Sequence, residues 1–139
     1  MNYREVTPTR EFLCSLDNGA DWREEIEEFA AREKIESAWF NAMGAVSDAE
    51  VWFYDQETKE YQSVQFDEPL EVAACVGNVA LLDGEPFAHT HAVLSRRSGQ
   101  SLAGHLNAGT VFAGEVYLRA FEEPLEREHD AVTDLDLWL

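Results

Sequence analysis

Only one stretch of this chain repeats its apolar residues at helical spacing, and that limits the folds open to it more than any other feature. Trp22, Ile26, Phe29 and Ala30 stand at offsets of 0, 4, 7 and 8, one face of a helix, with Glu24, Glu25, Glu27 and Glu28 toward solvent. Asp21 precedes the stripe as an N-cap, and Glu24 three residues on completes a capping-box pair. Asp17-Asn18-Gly19 is a turn, and Tyr3 to Leu16 before it reads as a strand interrupted near Pro8.

From Ser37 the pattern is extended. Trp39, Phe40, Met43, Ala45 and Val46 open it, and Glu50 to Phe66 reads as a hairpin around the polar run Asp55 to Glu60. Leu70 to Leu82 is a long apolar run with Gly77-Asn78 at its middle, where a strand glycine marks a bulge or a close backbone approach. Asp83-Gly84 turns the chain into a strand from Phe87 to Ser95. Arg96-Arg97-Ser98-Gly99 turns it again into Gln100 to Leu106, and Thr110 to Phe121 closes the sheet. One helix among about six to eight strands joined by short turns predicts an α+β fold: a mostly antiparallel sheet with one main helix packed on it. Residues 1–122 form that domain. Residues 123–139 read as an acidic tail that docks through Trp138, ends in Leu139 and is otherwise mobile.

Three of the four histidines fall at His89, His91 and His105. Side chains two apart on a strand share a face, so His89 and His91 project together. With His105 on the next strand they supply three imidazoles, the ligand set of a zinc site with an open position. Without a metal the same residues would form a polar pocket or a subunit contact. A turn centred between Arg97 and Ser98 sets His105 opposite Thr90, on the wrong face, so a bulge at Gly104 is expected to restore the register.

Glu115, Tyr117 and Arg119 alternate on the closing strand opposite Thr110, Phe112, Gly114, Val116, Leu118 and Ala120. Glu115 is the candidate catalytic residue, as a fourth ligand or a general base acting on water at the metal. The plainer role is a salt bridge, for instance with Arg119. Asn78 and Gly77 either shape the same pocket or serve a backbone turn. His129, in the acidic tail, is expected in solvent, and Cys14 and Cys75 as buried free thiols.

Charge sorts the remaining classes. The chain has 28 Asp and Glu against 10 Lys and Arg, for a formal net charge of −18. The acids are dispersed, which fits a surface adapted to high salt, where the Debye length falls to about 3 Å at 1 M. DNA binding draws on Lys and Arg that neutralise phosphates, and Arg96-Arg97 is the one basic pair here, so nucleic acid is disfavoured. No apolar run is long enough to span a membrane and the N-terminus has no apolar leader, so a cytoplasmic protein is expected.

Several short motifs occur together and in order: Ala42-Met43-Gly44-Ala45, Gly77-Asn78-Val79-Ala80-Leu81, Asp83-Gly84-Glu85-Pro86-Phe87, His89-Thr90-His91-Ala92-Val93-Leu94-Ser95 and Gly104-His105-Leu106. As a set they resemble the PPC (plant and prokaryote conserved) domain, over about residues 4 to 122. The resemblance implies the acetolactate-decarboxylase-like architecture, a homotrimer, and a His-x-His plus distant His pattern in prokaryotic members. In plants the domain follows AT-hooks and serves protein association, and stand-alone prokaryotic members are often called DNA-binding. No AT-hook is present here. The expectation is a stand-alone, trimeric domain binding a divalent metal, zinc, with a small-molecule ligand. The alternative is a DNA-associated or regulatory interaction module with a structural metal or none.

Overall fold

The computed structural model describes residues 1–138. Strands β1 (Pro8–Leu16), β2 (Ser37–Val46), β3 (Ala49–Asp55), β4 (Glu60–Phe66), β5 (Leu70–Leu82), β6 (Glu85–Ser95), β7 (Ser101–Ala108) and β8 (Val111–Phe121) form one eight-stranded sheet. Its order is β1-β8-β2-β5-β6-β7-β3-β4, every neighbouring pair antiparallel. Helix α1 (Trp22–Glu33) is the single helix among the described residues. This is the expected α+β architecture.

Asp21 caps α1 as its position suggests. One carboxylate oxygen accepts from the amides of Arg23 and Glu24 at 2.9 and 3.0 Å, and the other accepts from Gly109 at 2.9 Å. The cap therefore also ties the helix to the β7–β8 connection. The reciprocal carboxylate is Glu25, not Glu24, and it reaches past the cap to the amide of Asp17. Lys34, in the left-handed region, ends the helix.

The helix packs across β6 and β7, over Ala88, Thr90, Ala92 and Leu94, all buried. Trp22, Ile26 and Ala30 of the stripe join Phe40, Val79, Leu106 and Leu118 in the core. Since alternate residues of a strand face opposite ways, His89, His91 and Val93 must occupy the other face of the sheet. One cross-strand row on that face can be followed through all eight strands: Leu13, Tyr117, Asn41, Val76, His91, His105, Trp52, Ser63.

Gly77 is not in a turn. It continues β5 opposite Thr90, and a Cβ there would run into the Phe40 ring and sit 2.6 Å from the carbonyl oxygen of His89. The glycine lets β6 and the Phe40 ring approach together, so the close-approach reading of this residue holds. We predict that Gly77→Ala destabilises the protein by about 1–3 kcal/mol, the usual cost of overpacking a tight core. A denaturant midpoint unchanged from wild type would contradict this.

Candidate metal centre

β6 and β7 pair only from His91 and His105 to Ser95 and Ser101. Beyond His91 toward the N-terminus of β6 the two strands part. On the helix side the gap is filled by Thr90, whose hydroxyl donates to Leu106, and by Glu27, which accepts the amide of Ala88 at 2.9 Å. Arg23 braces the same gap, donating to the carbonyl of Asn107 at 3.0 Å and pairing with Glu27. Burial raises the Glu27 carboxyl above its usual range even so.

On the opposite face the histidines converge. His91 stands directly opposite His105, because the connection Arg96 to Gln100 has five residues and is centred on Ser98. The bulge expected at Gly104 is therefore absent: an odd loop already gives the right register. Gly104 serves instead where β3 crosses closely, since a Cβ there would lie 3.3 Å from the Trp52 carbonyl oxygen.

One ring nitrogen from each of His89, His91 and His105 lies within 4.8 Å of the others, and the Nε2 atoms of His89 and His91 are 3.2 Å apart. Ligands on a tetrahedral ion at about 2.0–2.1 Å are about 3.3 Å apart, so the cluster needs little adjustment to hold one. His105 is 8% exposed and lies parallel to the Trp52 ring, 5.8 Å between centroids, while His91 is open to solvent. Burial, then the charge of Arg127, holds His89 down at about 4. Burial, then His91, holds His105 at about 4, and burial lowers His91. All three are neutral at pH 7, with lone pairs available. The donors thus fit a divalent transition metal.

Beside His89 and His105 opens a cavity of about 420 Å³ walled by Trp52, Tyr61, Phe87, Arg127 and Trp138. Part of that wall comes from the acidic tail, which docks far more extensively than its composition suggests. Leu125 is buried, and backbone bonds join Leu81 to Leu125 and Arg127 at 2.7 and 2.8 Å. The short strands β9 (Glu128–Asp130) and β10 (Leu135–Leu137) then pair over the site, held by Tyr54 donating to the Thr133 carbonyl. Trp138 stacks on Trp39 at 6.4 Å, in line with the docking expected of it. Leu139 lies outside the described residues. His129 is solvent-exposed, near Asp134 and Asp136.

Of the two readings of Asn78 the structure favours the pocket over the turn: it sits beside His89 in the sheet, lines the cavity and accepts from the Arg127 guanidinium at 2.6 Å, while Arg127 itself was not singled out by the sequence. Arg127 is the one base in the tail, and that isolation was its only signal. Glu115, by contrast, is not part of the cluster. On β8, separated from β6 by two intervening strands, it pairs with Met43 and Ser15 and lines a separate groove with Leu13, Met43 and Tyr117. Arg119 pairs with Glu11, not Glu115, at 2.7 Å. Both thiols are free, Cys75 buried and Cys14 only partly so.

A model of the Plants and Prokaryotes Conserved (PCC) domain matches residues 3–122. A metal-containing protein from Archaeoglobus fulgidus is 41% identical with a TM-score of 0.95, over 100% of this chain and 99% of that one. A PPC protein from Pyrococcus horikoshii is 31% identical with a TM-score of 0.94, over 100% and 97%. A protein from Ralstonia eutropha JMP134, named as a candidate DNA-binding protein, is 28% identical with a TM-score of 0.81, over 90% and 88%. The likeness to α-acetolactate decarboxylase of Bacillus subtilis, 12% identical with a TM-score of 0.55 over 96% and 61%, is one of fold. No curated protein matches at a significant level. No described helix is long and apolar enough to cross a membrane.

The pH response of the metal-free protein follows from the depressed imidazoles. An unfolded imidazole takes its proton near 6.5, and His89 and His105 resist it until about 4 when folded. The unfolded chain binds more protons in that window, so their contribution is whole above about pH 6.5 and is lost as the pH falls through 4. Chelator-treated protein is expected to lose denaturant resistance over this range, and a His89→Gln, His105→Gln variant to lose less. Equal losses in the two would contradict the assignment.

Proposed function

The chain belongs to the Plants and Prokaryotes Conserved (PCC) domain family, and from that premise we propose that it is a homotrimeric metalloprotein. His89, His91 and His105 would hold one divalent ion, zinc, with a small molecule as ligand in the adjoining cavity. The observation that carries this reading is the convergence of three neutral ring nitrogens within 4.8 Å. The metal-containing relative from Archaeoglobus supports it. A zinc ion so held supplies a Lewis acid that polarises an oxygen of its ligand. The protein's part is to seat that ligand against Trp52, Tyr61 and Phe87 and to keep bulk water away with Trp138.

Trimerisation gives a purpose to the rest of the site-bearing face. Leu13 (88% exposed), Met43 (58%), Val76, Val93 and Tyr117 leave there an apolar surface that a lone chain would hold in water. Glu115 lies among these residues and belongs in this reading to subunit contact, not catalysis. The charge of −18 suits a cytoplasmic protein of a halophile.

The alternative, a DNA-associated or regulatory interaction module, draws on the name of the Ralstonia relative. The surface offers it little. Arg96 is paired with Glu68 at 2.7 Å and lies over the Phe66 ring, which leaves Arg97 as the hairpin's one unpaired base among the described residues.

Elemental analysis of untagged protein is expected to give about one zinc per chain, lost in His91→Ala. No metal in either, even after zinc is added back, would remove the metalloprotein reading. Light scattering is expected to give three chain masses for wild type and a smaller species for Val76→Arg, and a monomeric wild type would remove the trimer.

A further inference from the structure

Arg127 is held in an unusual way. Its guanidinium donates to the backbone carbonyl of Asp136 at 2.9 Å and to the Asn78 side chain at 2.6 Å, and it lies over the Phe87 ring at 5.3 Å. Both acceptors are neutral. Its Nε is buried with no hydrogen-bond partner, and among the described residues no carboxylate forms an ion pair with it. The Asp136 carboxylate lies 3.6 Å from His129, and its charge reaches Arg127 only from beyond ion-pair distance. A guanidinium removed from water normally finds a carboxylate or phosphate, whose planar oxygens its fork matches. Here none is supplied by the chain.

The charge faces the cavity. Arg127 lines the cavity together with His89 and His105. Three neutral imidazoles bring a metal no negative charge, so a bound divalent ion would add its full charge beside the arginine. Trp52, Tyr61, Phe87 and Trp138 make the walls largely aromatic, Asp134 and Asp136 also line the space but are exposed and lie near His129, and at about 420 Å³ it suits a molecule of several heavy atoms.

We infer that Arg127, carried into the cavity by the C-terminal segment, is the recognition residue for an oxyanion, and that the ligand is a small organic acid with an apolar body. The inference deepens the metal-site reading and rests on it for the metal's share of the positive charge. Arg127's own share stands with or without the ion. Asn78 and the Phe87 ring are positioning groups: they fix the plane of the guanidinium that lines the cavity. The class shared by a carboxylate and a phosphate monoester is set by the arginine, and the experiment separates the two.

The test is titration calorimetry on the full-length protein, zinc-loaded and chelator-treated, with benzoate, phenyl phosphate and the neutral isostere benzamide. Wild type is expected to bind one of the two anions at least tenfold more tightly than benzamide even without metal. The tighter anion identifies the class. Arg127→Met, which keeps an aliphatic stem over Phe87, is expected to lose that tenfold preference while retaining wild-type zinc content, and Arg127→Lys to keep part of it. An Arg127→Met protein with undiminished preference would overturn the inference. So would chelator-treated wild type that binds benzamide as well as both anions, a result that needs no variant to fold. Zinc content is read separately, so protein that takes up no metal yet prefers an anion through Arg127 removes the metal reading and leaves this one standing.

Discussion

The pairing of His91 with His105 across β6 and β7 is the contact on which the rest of the structure depends. Residues directly opposed in antiparallel strands share a face, so this one pair fixes where the clustered imidazoles point. It fixes the core by the same step. If His89 and His91 face one way, Ala88, Thr90, Ala92 and Leu94 face the other, and those are the residues α1 covers. A slip of one residue between the strands would bury imidazoles under the helix and expose Leu94. Site and core therefore stand or fall on one register, which the five-residue loop from Arg96 to Gln100 sets.

Much of this was legible in the sequence because it lives in periodicity. The spacing of Trp22, Ile26 and Ala30 gave the helix, and the spacing of His89 and His91 gave their common face. The loop length was not legible, since Arg96-Arg97-Ser98-Gly99 serves equally as a four-residue turn or as most of a five-residue one. Only pairing partners decide between them, and the wrong choice produced an unneeded bulge at Gly104. Glu115 attracted attention as a carboxylate amid apolar neighbours on the correct face. A face is a wide surface, however, and strand order, which periodicity does not encode, sets two strands between Glu115 and β6.

The C-terminal segment shows a different limit. Its acidic composition, with 123–139 holding a single base, reads as solvated chain, yet it attaches through backbone bonds to Leu81 that no composition reports. Backbone hydrogen bonds at a strand end are indifferent to side-chain charge, so acids at Glu126 and Glu128 can face water while Leu125 and Arg127 turn inward. The family match ends at residue 122, but the cavity beside the histidines is walled by residues on both sides of that limit. The shared sheet supplies the imidazoles, and the segment beyond it supplies Arg127 and Trp138.

The overall charge and the local charge oppose each other, and distance decides which one a ligand meets. At low ionic strength a surface at −18 repels any approaching anion over about 10 Å or more. Inside the cavity the aromatic walls lower the dielectric, so the attraction of Arg127 acts over a few ångströms where salt intervenes little, while the exposed Asp134 and Asp136 that also line it are screened with the rest of the surface. Raising the salt concentration removes the first effect and leaves the second. For a DNA-binding protein the order is reversed, because salt weakens the very contacts that carry affinity. An acidic shell around a single cavity-lining arginine is thus poorly suited to a polyanion that must lie along the surface, and better suited to a small anion that reaches the arginine, most of all in a salty solution.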